Sequence, residues 1–124
     1  MKLQPDRFDT LSINAYGDGW IAVSGEKKHE SLIVSSQGRC EGWGCTSFEA
    51  LTVEHFDRLA DDSPEVVIFG SGPKLRFVSP ALLRGLIVRG IGVETMDTAA
   101  ACRTYNILAG EGRKVVAALL LETR

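Results

Sequence analysis

The chain has no apolar run approaching the roughly 20 residues that a membrane-spanning helix requires. Its longest, Val115–Leu121, is the length of a strand. The opening decapeptide MKLQPDRFDT carries no apolar secretory core, which leads us to expect a cytoplasmic protein. A basic excess is also missing. The formal net charge is −2 and the isoelectric point about 5.7, so the total charge exerts no pull toward nucleic acid or anionic membrane. The five Phe and two Trp residues do not interleave with Lys and Arg as single-strand binding requires, and no nucleic-acid partner is expected.

Cysteine and histidine are scarce. Cys40, Cys45 and Cys102 make an odd set that suits free thiols in a reducing compartment. Cys40 and Cys45 are spaced C-x4-C with no second pair, short of the four ligands of a structural zinc site, so no metal is expected. His29, placed in a strand, and His55, placed on a surface helix, read as solvated or edge residues. The phosphate-binding Gly-x-x-x-x-Gly-Lys, the dinucleotide Gly-x-Gly-x-x-Gly and the nucleophile elbow Gly-x-Ser-x-Gly are all absent, and no histidine follows Ser71. Catalysis is therefore the minority reading, and no cofactor is implied.

What is present describes an α/β protein of 124 residues, enough for one domain: a polar, flexible lead-in over residues 1–10 and a single α/β domain over 11–124. Alternation at Leu11, Ile13 and Ala15, the turn Gly17-Asp18-Gly19, the run Trp20–Val23, a second turn at Gly25–Lys28 and a strand His29–Ser35 predict an N-terminal antiparallel meander. Residues 36–50 read as a loop with room for one short strand. Thr52 caps a predicted helix to about Ala60. The continuous apolar run Val66–Phe69 reads as a strand covered on both faces. A helix then runs from about Pro80 to Arg89, burying Leu82, Leu83, Leu86 and Ile87, and a strand from Val93 to Met96 completes a right-handed β-α-β unit with parallel strands. Asp97 or Thr98 caps the last helix, which stops at Gly110, and Val115–Leu121 closes the sheet.

The crevice beyond the strand ends at Phe69 and Met96 is the place where open α/β sheets bind ligands. Gly70, Ser71 and Gly72 could present backbone N–H groups to an anion, the helix beginning at Thr98 adds a positive dipole end, and Lys74, Arg76 and Arg103 add charge. Against this, the glycines can simply turn the chain, and Asp97 at the helix start would repel an anion. Charge is unevenly distributed: residues 1–64 hold six Lys or Arg against eleven Asp or Glu, residues 65–124 eight against five. Such asymmetry marks an interaction surface or merely two solvated faces. In the cluster Arg103-Thr104-Tyr105-Asn106 we read helix-to-strand hydrogen bonding, with the final turn oriented through Glu111 and Arg113.

The stretches VIFGSGPK and MDT-x-x-A-x-R-T-Y-N-x-L-x-x-E-x-R, the latter from Met96 to Arg113, resemble a family of small α/β domains of unknown function found from bacteria and archaea to mitochondria. The family includes a mitochondrial complex I assembly factor and an adipogenesis-associated protein, and the resemblance spans about Leu11 to Leu121. It implies a three-layer sandwich with a mixed central sheet, helices on both sides and the N-terminal meander as an added β-layer. It implies no established activity or cofactor. The expected function is a non-catalytic interaction module that assists assembly of a respiratory membrane complex, with Arg84 and Arg103 as partner-binding candidates and membrane-complex subunits or an assembly factor as partners. The alternative is a small-anion or metabolite binding protein, or weak enzyme, that uses the glycine loop.

Overall fold

A computed structural model describes residues 11–122. The flexible lead-in expected over residues 1–10 lies outside the described residues. Eight strands and three α-helices follow in chain order: β1 (Ile13–Gly17), β2 (Trp20–Val23), β3 (Glu26–Lys28), β4 (Leu32–Ser35), β5 (Cys40–Gly42), α1 (Val53–Asp57), β6 (Val66–Gly70), α2 (Arg84–Val88), β7 (Gly92–Met96), α3 (Thr98–Gly110) and β8 (Val115–Leu119). Short 3-10 segments precede α1 and α2 and continue α1 to Asp62.

The strands form two sheets. β1, β2 and β3 make an antiparallel three-stranded sheet, and the central sheet has the order β5-β4-β8-β6-β7. β6 lies parallel to both β7 and β8, whereas β4 runs antiparallel to β8 and β5, so the central sheet is mixed. β8 sits in the middle with all five residues buried, because both its faces are covered. One face packs against α3 and the N-terminal sheet, with Ile68, Ala117 and Leu119 meeting Ala101, Tyr105, Ile21 and Val23. The opposite face packs against α1 and α2, with Val67, Phe69, Val116 and Ala118 meeting Phe56, Leu59 and Leu86. The result is the expected three-layer arrangement, with helices on both sides.

Three local features correct or add to the expectations. The third meander strand is Glu26–Lys28, not His29–Ser35. Ser24 and Gly25 both take positive φ, 48° and 88°, and this tight turn sends the chain straight back along β2. Leu32–Ser35, buried at every position, instead enters the central sheet beside β8, where both its faces are covered. His29 therefore lies exposed in the β3–β4 connection, outside any strand. Second, the loop around residues 36–50 contributes to the core. Trp43 is fully buried, stands edge-on to Phe56 and Phe69 at 5.5 and 5.9 Å, and donates its indole N–H to the His55 carbonyl at 2.9 Å. Third, the helix expected over Pro80–Arg89 is a 3-10 turn followed by five α residues. It buries Leu86 but leaves Ile87 exposed, because so short a helix presents only a narrow inner stripe.

Candidate functional site

β6, β7 and β8 are parallel, so their carboxyl ends share one edge of the sheet, and a cleft of about 540 Å³ opens there. Gly72 and Pro73 follow β6, Asp97, Thr98 and Ala99 begin α3, and Leu120 to Glu122 follow β8. The far wall, Tyr16 to Gly19, is the tip of the β1–β2 hairpin from the other sheet. Three of the expected site residues, Gly72, Asp97 and Thr98, line this cleft; Gly70, Ser71, Lys74, Arg84 and Arg103 do not.

The polar groups at the strand ends are spent on one another. Thr98 donates its backbone N–H to the Gly72 carbonyl at 2.8 Å, and its hydroxyl accepts the Gly72 N–H at 2.8 Å while donating to the Leu120 carbonyl at 2.8 Å. One threonine thereby ties the ends of β6 and β8 to the start of α3. Gly72 can make this bridge because its φ of +103° is open to glycine at little cost. Gly70 has a different reason to be glycine: a Cβ there would stand 2.9 Å from the Cα of Thr98, so α3 could not sit as close to the sheet. Ser71 donates its N–H to the Met96 carbonyl, and its buried hydroxyl donates to the Lys74 carbonyl at 2.8 Å and accepts the Arg76 N–H at 2.9 Å. The two loop N–H groups that could have formed an anion nest thus have internal acceptors. Asp97 caps α3, accepting the Ala100 N–H at 2.8 Å.

Charge at the cleft is acidic: Asp18, Asp97 and Glu122 line it, with no Lys or Arg among the lining residues. Behind it, Arg76 reaches Glu122 at 2.9 Å and stacks over the Phe48 ring at 4.6 Å. Burial alone would raise the Glu122 carboxyl, but the Phe48 N–H and the Arg76 guanidinium outweigh it and hold the group below its ordinary value. Neither histidine lines the cleft. His55 Nδ1 accepts the Thr52 N–H at 3.0 Å and its Nε2 lies 3.2 Å from the Gly44 carbonyl, partners that assign the neutral Nε2–H tautomer. Cys102 is buried, and that burial pushes its thiol up to about 12, with only partial opposition from Arg103, so the thiolate form is suppressed. All three cysteines are free.

The cluster Arg103–Asn106 does join helix to strand, but the strand is β1. Asn106 is bidentate, its Oδ1 accepting the Ile13 N–H at 2.8 Å and its Nδ2 donating to the Ile13 carbonyl at 2.7 Å. Tyr105 donates its hydroxyl to the Leu11 carbonyl at 2.7 Å, and Arg103 donates to the Tyr16 hydroxyl at 2.6 Å at the cleft rim. Burial, and to a lesser degree the neighbouring Cys40, raises the Tyr105 phenol well above its ordinary value, which keeps it a donor. These residues fasten the N-terminal sheet to α3 and so hold the hairpin wall of the cleft in place. The expected Glu111–Arg113 tie is not formed: Arg113 pairs instead with Glu65 at 3.1 Å across the start of β6. The helix-to-strand bonding was expected, but not that residues 11–13 are its partner. A signal for it was the mid-helix asparagine, a poor helix former whose side chain seeks backbone partners.

Comparison with known proteins places these features in context. Residues 13–120 match the family described as protein of unknown function (DUF498/DUF598). The chain is 35% identical over 120 residues to the Homo sapiens NADH dehydrogenase (ubiquinone) 1 alpha subcomplex assembly factor 3, covering 95% of this chain and 65% of that protein. It is 32% identical over 112 residues to the Bos taurus protein of the same name, covering 89% and 60%. The chain thus spans less than two thirds of the length of these curated relatives. Among solved structures, a protein from Bordetella parapertussis superposes with a TM-score of 0.86 at 37% identity, over 91% of this chain and 97% of that one.

Proposed function

The chain belongs to the DUF498/DUF598 family of proteins of unknown function, and from its curated relatives we infer that it is a non-catalytic interaction module that assists assembly of a respiratory membrane complex. The observation that carries this reading is 35% identity to a protein named as an NADH dehydrogenase assembly factor, over 95% of this chain. Two features of the molecule favour it. The strand-end polar groups that a catalytic or anion-binding site would use are committed internally. Arg84, by contrast, is exposed and has no carboxylate within ion-pair distance among the described residues. Arg103 is exposed as well, and its hydrogen bond to Tyr16 leaves its charge unneutralised.

The test is affinity capture of the tagged full chain from its own cells with membranes included, read by mass spectrometry. The expected result is recovery of NADH dehydrogenase subunits or of a second assembly factor, reduced by Arg84→Glu or Arg103→Glu in variants that melt at the parent temperature. Capture of neither by folded parent protein would overturn the reading. A second reading, a metabolite-binding protein or weak enzyme, draws support from the cleft itself. Its three lining carboxylates weigh against an anionic ligand there. A rise in melting temperature with a phosphate-bearing or carboxylate metabolite would favour this second reading, and no shift with any of them would remove its anion-binding form.

A further inference from the structure

The crossover between β6 and β7, residues 71–91, differs in composition from the rest of the chain. It contains Lys74, Arg76, Arg84 and Arg89 and not one Asp or Glu, in a protein whose net charge is −2. It also carries four large apolar side chains turned to solvent: Phe77 at 70% exposure, Val88 at 73%, Ile87 at 57% and Leu75 at 52%. These do not arise from loose packing. Val78, Leu82, Leu83, Leu86 and Ile91 of the same segment are seated on the face of the central sheet formed by Val67, Phe69 and Val116. The segment is therefore one side of a covering layer, and the side chains that point away from that core belong to its outer surface. In the extended part, inward Arg76 and Val78 alternate with outward Leu75 and Phe77. In α2, Leu86 points in while Arg84, Ile87 and Val88 point out.

The acidic groups near the crossover do not reach that outer surface. Glu122 is held by Arg76 at the cleft end. The Asp57 Oδ1 atom is buried against Gly85, beside the Arg89 guanidinium but without a hydrogen bond to it. Lys74, Arg84 and Arg89 have no carboxylate within ion-pair distance among the described residues. An outer face that is apolar, aromatic and purely cationic matches the chemistry of an anionic bilayer surface, where apolar side chains enter the headgroup boundary and cations pair with phosphates. No helix of the described residues is long and apolar enough to cross a membrane, so such contact would be peripheral.

We propose that the β6–β7 crossover docks the protein on an anionic lipid surface, with Phe77 and Val88 entering the interface and Lys74, Arg84 and Arg89 meeting lipid phosphates. The proposal does not rest on the assembly reading, because pure lipid tests it with no protein partner present. The full chain is sedimented with phosphatidylcholine vesicles and with vesicles that also contain phosphatidylglycerol. Co-sedimentation is expected with the anionic vesicles alone, weakening as salt is raised. Arg84→Glu combined with Arg89→Glu lowers the partition coefficient more than tenfold, since each cation near the surface contributes roughly fivefold. Phe77→Ser lowers it several-fold, while Lys27→Glu, on β3 in the other sheet, leaves it unchanged. In Phe77→Trp, the emission added over that of the parent shifts to the blue and becomes protected from acrylamide when anionic vesicles are added. Absence of binding to anionic vesicles would overturn the proposal. So would equal loss in the Lys27→Glu variant, or binding to soluble polyglutamate that matches vesicle binding and ignores Phe77→Ser, since charge alone would then be responsible. A concentration-dependent dimer of the Phe77→Trp variant that shields the introduced indole from acrylamide without lipid would overturn it too, by assigning the face to a second copy.

Discussion

The start of α3 and the β6–β7 crossover handle polar and apolar groups in opposite ways. At α3, Thr98 joins Gly72 to Leu120, Asp97 caps the helix, and Tyr105 and Asn106 bind the backbone of residues 11–13. In the crossover, Lys74, Arg84 and Arg89 lack acidic partners among the described residues and Phe77 and Val88 face water. The first region shows how a short sequence motif can be specific for internal architecture: its side chains replace backbone hydrogen bonds that water would otherwise supply, and each loss leaves a buried group unpaired. The second shows groups whose removal costs the fold little, and which therefore remain free to act on something outside it.

The contrast is broken most severely at Thr98. Thr98→Val keeps the shape but strips the Gly72 N–H and the Leu120 carbonyl of their partner, and is expected to lower stability by about 2–4 kcal/mol in urea denaturation. Asn106→Leu removes two bonds to Ile13 and should cost about 1–3 kcal/mol. Its signature is local: hydrogen exchange should accelerate in β1 and β2 before the central strand β8 responds.

A pH titration sharpens the same region. Cys102 has a folded pKa above its unfolded one, so its contribution to stability is complete below about pH 9 and is lost as pH rises through 9 toward 12. The raised Tyr105 phenol acts in the same sense at still higher pH. Stability should therefore fall with pH in this alkaline window, by up to about 1.4 kcal/mol per pH unit for each proton involved. Cys102→Ala should flatten the lower part of that slope, and an unchanged slope would contradict the role assigned to its burial. The smallest effect belongs to the crossover. Arg84→Glu and Phe77→Ser should each change stability by no more than about 0.5 kcal/mol, and a loss above about 2 kcal/mol would mean that these side chains belong to the core after all.

Much of the fold was legible because its signals are local. The apolar runs at Val66 and Val115, the helical start at Pro80 and the cap at Asp97, one of the two positions expected, each act through a few adjacent residues. Of the candidate site, Gly72, Asp97 and Thr98 lie together at the strand ends, because parallel strands followed by helices deliver their carboxyl ends to one edge. The hairpin wall at Tyr16–Gly19 was not foreseen. It comes from a different sheet, and only the clamp from Asn106 and Tyr105, across more than 90 positions in sequence, puts it there. Trp43 stands in the loop expected for its glycine-rich surroundings, but its burial was not legible, because the Phe56–Phe69 pair that receives it is assembled from two other elements.

By itself, then, the sequence determined the kinds and order of the elements, through periodicity, caps and turns, and it determined that residues 71–91 carry cations without acids. Tertiary structure decided which of those groups are spent and which are free. The Gly70–Gly72 loop leads directly into the rest of the crossover, but the close approach of α3 supplies partners to the loop, and no carboxylate among the described residues comes within ion-pair distance of Lys74, Arg84 or Arg89. The cost of an unpaired buried group makes that distinction, and it depends on neighbours that sequence order does not name.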